Sequence, residues 1–336
     1  MSRKITITGA TGNIGQLVVP ALLAGGAEVT ALVRDAQKAE GLRSQGVNIV
    51  AGEYTDAEAV QTAIEGSDAI LMIAPPNPDA AKQMSGLIAA AKHAGTPHVV
   101  RMSAIKAAAD APTENGKLHH ESDNELMASG LPYTILRPHF FMQNIWMSIP
   151  TIQEHSQMYW GMGHGKLGMI DVRDIADMTV EILLKGSHLA EILNPTGPDS
   201  ITFSQVAEAI SKFLGKEVSY INVTNEQVRK SIIEMGWGEW GGQVMSDYAK
   251  AWSENWGDFT TDDVEKVTGN KPRSINQFVN EVLAYGFEQP TASDIYCRGR
   301  AHRSHGTDGV LRADPLINYR FEGVEWSPVR RHFMLL

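Results

Sequence analysis

The sequence predicts a doubly wound α/β fold: a parallel sheet with helices on both faces, extended by a smaller, mainly helical C-terminal part. Three observations predict it. Lys4–Thr8, rich in β-branched residues, runs straight into Gly9-Ala10-Thr11-Gly12-Asn13-Ile14-Gly15 and then into an apolar periodic stretch through Leu17, Val18, Ala21 and Leu22. Five further times a helix-like segment closes near a glycine and a β-rich run follows within a few residues. Those runs are almost continuously apolar, as in Ile70-Leu71-Met72-Ile73, which suits strands covered by helices on both sides.

Taken in order, the first strand, turn and helix start form a site for a dinucleotide pyrophosphate. Gly9 lets the chain leave the strand sharply, and Gly12 lets backbone approach the phosphates. Gly15 lets the helix pack close to the sheet, with its N-terminal N–H groups facing the anion. The spacing is G-x-x-G-x-x-G. Next, Gly25-Gly26 precede a strand at 28–33, Gly46 one at 47–51, Gly66 one at 69–74, Gly95 one at 98–103 and Gly130 one at 133–137. Glycine just past a helix end is a left-handed cap, and strands alternating with helices build parallel β-α-β units. Asp56 and Asp79 start the helices at 57–64 and 80–94. Residues 1–140 therefore form the dinucleotide-binding, Rossmann-type domain, whose sheet also takes strands from 165–195. Within that return, Ile170–Ala176 reads as a strand leading to a helix capped by Asp174.

Residues 141–290 form the substrate-binding part. Its aromatic and methionine density is high, at 139–165 and again from Met235 to Trp256, which holds four tryptophans. Such a segment builds a satellite core, a wall for a flat apolar ligand, or both. Residues 291–336 differ in character: no lysine follows Lys271, and seven arginines face five carboxylates without a clear period. This stretch reads as an appendage, either a disordered extension or a product of an altered reading frame.

Composition narrows the function. A net charge of −10 disfavours nucleic acid as the main partner, because phosphate binding needs a basic face. Apolar runs are too short to span a bilayer, and the charged start leads into a strand, not an export core. One cysteine, Cys297, excludes a disulfide framework and a thiolate zinc site within one chain, so no metal is expected. A cytoplasmic protein without membrane partners, compatible with an oligomer, is the expectation.

The second strand ends at Arg34, where an arginine suits a ribose 2′-phosphate; Lys38 follows one turn on, and Asp35 is one residue late. This favours NADP(H) over NAD(H). Around the loop formed by Gly9, Thr11, Gly12, Asn13, Ile14 and Gly15, the expected cofactor contacts are Glu53 and Tyr54 at the adenine edge. Ala74 and Pro75 are expected beside the nicotinamide ribose, and Ser103 is a further expected cofactor contact. No tyrosine has a lysine four residues on, which argues against ordinary alcohol or ketone chemistry. In its place stands His119, four residues before Asp123 on one helical face, where the carboxylate could orient or charge the imidazole. His119 is the candidate catalytic residue. Phe140, Phe141, Met142, Asn144, Trp237 and Trp240 are the candidate acceptor contacts.

Several segments together resemble the NmrA-like branch of atypical short-chain dehydrogenase/reductases, over about residues 3–287. They are Thr8–Gly15, Leu32-Val33-Arg34, His119-x-x-x-Asp123, Gly130–Pro138, Phe140–Asn144 and Ile170–Ala176. The resemblance is strongest to bacterial NAD(P)H-dependent quinone, azo-dye and triphenylmethane-dye reductases. It implies hydride transfer from nicotinamide to a flat conjugated acceptor without a Tyr/Lys pair. That family position usually carries Glu where this chain has Asp123. The family also includes proteins that bind the dinucleotide without turning it over and act as redox-sensing regulators, which is the alternative function.

Overall fold

In the computed structural model, residues 2–37, 39–95 and 97–288 are described, with two further strands at 319–321 and 324–326. Six strands alternate with five helices: β1 (Lys4–Thr8), α1 (Gly15–Ala24), β2 (Glu28–Val33), α2 (Glu40–Arg43), β3 (Asn48–Ala51), α3 (Ala57–Ile64), β4 (Ala69–Met72), α4 (Ala80–His93), β5 (His98–Met102), α5 (Glu114–Ala128) and β6 (Tyr133–Leu136). The glycine punctuation holds: Gly26, Gly46, Gly66, Gly95 and Gly130 all have positive φ, between 70° and 96°. That backbone costs glycine little and costs other residues more.

The rest of the chain adds α6 (Ile149–His155), β7 (Gln157–Trp160), β8 (Lys166–Leu167), α7 (Val172–Lys185), β9 (Glu191–Leu193), β10 (Ile201–Thr202), α8 (Phe203–Leu214), β11 (Ser219–Asn222), α9 (Asn225–Ile232), α10 (Gly238–Ser253), α11 (Asp263–Thr268), α12 (Ile275–Phe278) and α13 (Ala284–Glu288). The main sheet is seven-stranded, in the order β3-β2-β1-β4-β5-β6-β9, and every pairing is parallel. Chain order reverses between β1 and β4, so a crevice opens beyond their carboxyl ends, where ligands of such sheets bind.

Two cores lie under the sheet faces. One joins α1, α7 and the lower face through Val18, Leu22, Ile175 and Ile182; the other joins α3, α4 and α5 through Ile64, Leu87 and Leu126. A third core belongs to the second lobe and gathers Phe140, Trp160, Phe203, Tyr248, Trp252 and Phe278. The second lobe is not one continuous stretch. Residues 170–193, with Val264 and Val267, return to the first core.

Helix α7 starts one turn earlier than the sequence suggested. Its cap is Asp171, whose carboxylate accepts from Arg173 N–H at 2.9 Å, while Asp174 sits inside the first turn and binds Arg273. An extended residue is needed for a cap, and Asp171 supplies it at ψ 132°. In the C-terminal appendage, Tyr319–Phe321 pairs antiparallel with Val324–Trp326; the rest of 291–336 lies outside the described residues. No described helix is long and apolar enough to cross a membrane, and no described cluster of His, Cys, Asp and Glu could hold a metal ion.

Candidate functional site

The glycine turn sits at the carboxyl end of β1, facing that crevice. Gly9 adopts φ 72°, and Gly12 N–H donates back to the Gly9 carbonyl at 3.0 Å. Gly15 opens α1 so tightly that a Cβ there would stand 2.4 Å from the Gly9 oxygen and 2.6 Å from Ala10 Cα. The first turn of α1 carries neither a side-chain cap nor an acidic residue, leaving its positive end for an anion. Thr8 fixes the neighbouring strand: its hydroxyl donates to the Ile73 carbonyl at 2.9 Å and accepts Ile73 N–H at 2.8 Å. Gly9, Gly12, Asn13, Ile14, Ile73 and Phe141 line one small cavity. These residues fit a dinucleotide pyrophosphate.

The other expected cofactor contacts are distributed as follows. Thr11 and Glu53 are exposed, while Ala74 and Pro75 are half-buried. Tyr54 OH bonds the Ile73 carbonyl at 3.3 Å, and burial pushes its phenol above the usual range. Arg34 is exposed at the tip of β2, and the Asp35 carboxylate is turned onto Gln37 N–H at 3.0 Å. Lys38 lies outside the described residues. Ser103 is fully buried, and its hydroxyl donates to Asp123 at 2.8 Å.

That bond belongs to a buried ion cluster that the sequence reading missed. Arg101, on β5, pairs with Asp123 of α5, and Arg137 after β6 meets the same carboxylate through Nη2 at 2.8 Å and Nε at 2.9 Å. Asp123 is therefore not the orienting partner of His119. Two guanidiniums and a hydroxyl have claimed it, because burying arginine demands a counter-charge. His119 instead turns Nδ1 toward Arg101 Nη2, at 3.2 Å. A guanidinium only donates, so Nδ1 accepts and the proton resides on Nε2. Burial, with the Arg101 and Arg137 charges added, holds the ring well below the usual histidine range. An arginine inside the apolar run Val99-Val100-Arg101-Met102 was the available signal.

The expected acceptor residues also separate. Phe140 and Phe141 lie on an extended segment, so their side chains leave on opposite sides. Phe140 is enclosed in the second-lobe core, edge-on to Trp252, Trp160 and Phe203 at 5.2, 5.6 and 5.8 Å, and Met142 packs there too. Both are fully enclosed there. Phe141 goes the other way, into the first core, and lines the small cavity at the glycine turn. Trp237 and Trp240 are half-buried on the second-lobe core. Asn144 is fully buried with neither amide atom hydrogen-bonded, a costly state that a ligand's polar group would relieve.

His139 joins the lobes. Its Nδ1 accepts Phe140 N–H at 2.7 Å, and its Nε2 donates to the Gly257 carbonyl at 2.9 Å. Burial lowers its pKa to about 4, opposed by the Gly257 bond and assisted by the Lys106 charge. The folded value lies below the unfolded 6.5. The stability that neutral His139 carries is thus complete above pH 6.5 and lost as pH falls toward 4, up to about 3 kcal/mol. Urea titrations at pH 7 and 4.5 should show a shallower acid loss for His139→Gln than for the unsubstituted chain; parallel losses would refute this account.

Residues 1–278 match the NmrA-like family. The chain is 35% identical to the NAD(P)H azoreductase of Xenophilus azovorans over 283 residues, 84% of this chain and 99% of that protein. It superposes on the NADPH complex of the quinone oxidoreductase QOR2 from Escherichia coli with a TM-score of 0.76 and 26% identity, covering 83% of this chain and 99% of the other. NmrA, a negative transcriptional regulator solved with NADP, gives a TM-score of 0.70 at 18% identity, covering 85% and 97%, and shares the fold. This chain belongs to the NmrA-like family, with an NADP-binding Rossmann fold.

Proposed function

We propose that this NmrA-like protein is an NADPH-dependent reductase of a flat conjugated acceptor, a quinone or an azo compound. The observation that carries the reading is the glycine turn, with Gly15 sealed against Gly9 and the bare positive end of α1 beside it. The likeness to an azoreductase along almost that protein's whole length supports the acceptor class. Bound there, a reduced nicotinamide would supply hydride. Gly12, Asn13 and the first turn of α1 would hold its pyrophosphate, and Asn144 would bond a polar group of the ligands. A conjugated acceptor delocalises incoming charge, so a Tyr/Lys acid is dispensable. His119, held neutral, is not a cationic acid. A cytoplasmic location fits a chain with a single cysteine.

A panel of quinones and azo dyes with NADPH, followed by loss of cofactor absorbance, tests the reading. Turnover above the buffer rate is expected. Dinucleotide binding without turnover of any acceptor would favour the redox-sensing regulator instead.

Cofactor choice rests on Arg34 at the tip of β2, with Asp35 turned onto its own loop. Arg34→Ala should weaken NADPH binding by about 1.5–3 kcal/mol, the worth of a charge-assisted contact, and leave NADH nearly unchanged. Equal losses for both, measured by calorimetry, would remove the preference.

A further inference from the structure

Lys106 lies in the loop after β5, at the carboxyl edge of the sheet where ligands of this architecture bind. Its backbone is left-handed, at φ 48°, an uncommon state for a lysine. Its ammonium donates to the Trp256 carbonyl and stands 5.2 Å from the Trp256 ring centre and 4.7 Å from that of Phe259. The opposite side of this contact is left-handed as well, at Asn255, φ 63°. Asparagine adopts that state readily, so the unusual backbone is that of Lys106, a state that persists where surrounding contacts impose it.

We propose that Lys106 is the acid on the acceptor side, its ammonium neutralising and then protonating the oxygen anion left when a quinone-type acceptor takes up hydride. This rests on the reductase reading above. The acceptor gains two electrons and one proton as hydride from the reduced nicotinamide dinucleotide, which leaves oxidised, and is one proton short. An Nζ–H bond of Lys106 breaks, an O–H bond forms, and the amine keeps the electron pair and regains a proton from water. Three N–H donors serve Lys106, and the Trp256 carbonyl occupies one, so others remain for an acceptor oxygen. Among the described residues no carboxylate acts on its titration, so its charge is not neutralised by an ion pair there.

The groups around it support the role. Lys106 is exposed, and the partial desolvation of its ammonium against the two rings lowers its pKa from the ordinary lysine value. His139, packed on Phe259 at 5.4 Å, is the titratable group facing it from the segment after β6, and it is neutral. On the 254–259 segment, the Asp258 carboxylate is bound by Ser200 Oγ at 2.8 Å. The rings hold the cation by cation–π attraction at the sheet's carboxyl edge.

Two readouts on the full chain test this. The first is Lys106→Met, which keeps the aliphatic stem and removes the charge. Its kcat for a quinone should fall by about 10²-fold, with KM for NADPH and the melting temperature unchanged. The second needs no turnover. With NADP⁺ present, 4-nitro-1-naphthol should bind and ionise about one pH unit below its free value, read by the visible band of its anion. Lys106→Met should abolish that shift, and Lys106→Arg should restore it while leaving kcat low, because a guanidinium keeps its protons. Undiminished kcat and an undiminished shift in Lys106→Met would overturn the role of Lys106 alone. Absence of quinone reduction by the unsubstituted chain would overturn the reductase reading and this role together.

Discussion

Gly15→Ala should abolish useful dinucleotide binding, raising the Kd for NADPH on the order of a hundredfold, about 2.7 kcal/mol. The added Cβ would fall 2.4 Å from the Gly9 carbonyl oxygen, 2.6 Å from Ala10 Cα and 2.7 Å from Ala10 C. All three are backbone atoms, so no rotamer change relieves the clash. The start of α1 must move away from the turn after β1, which breaks the registration of the N–H groups aimed at the anion. Overpacking of this kind also costs about 1–3 kcal/mol of stability. Gly41→Ala is the control, since its Cβ would meet nothing within 4 Å and its φ is ordinary. Calorimetry with NADPH on both variants decides the matter. A Gly15→Ala protein binding as tightly as the control would show that the turn does not hold the pyrophosphate.

The alternation of strands and helices was legible because it is written locally. Glycine at each helix end and unbroken apolar runs such as Ala69–Met72 need no knowledge of the partner strand. The two-residue strands β8 and β10 were not legible, since two residues carry no period and exist only through pairing. The pyrophosphate turn could be read residue by residue for the same local reason. The acceptor side could not. Phe140 and Phe141 are chemically identical neighbours, yet the bridge between Phe141 and Ile170 fixes which of them meets the first core. Only the tertiary register decides that. His119 and Asp123 are correctly spaced on one face of α5, but the arginines that divert the carboxylate arrive from β5 and from beyond β6. Lys106 went unread because the rings beneath it come from residues 256 and 259, far along the chain.

That diverted carboxylate gives the largest expected loss of stability. Asp123→Asn should cost about 3–5 kcal/mol, the usual result of removing one partner from a buried pair. Asp123 is fully buried and serves as counter-ion to Arg101, itself buried, and to Arg137. Two guanidiniums already share one carboxylate, so the cluster holds a net positive charge even when intact. Asparagine would preserve the shape and the Ser103 bond while leaving two like charges facing each other away from water. Neutral His119 cannot compensate, because its Nδ1 accepts from Arg101 and carries no negative charge. The loss should therefore be electrostatic, and a second substitution distinguishes that from lost packing. Arg101→Met in the same chain removes the uncompensated cation with an apolar side chain of similar length, and should recover part of the stability. Urea unfolding of the single and double variants measures both quantities. If Asp123→Asn costs under about 1 kcal/mol, or Arg101→Met deepens its loss, the cluster is not held by this charge balance.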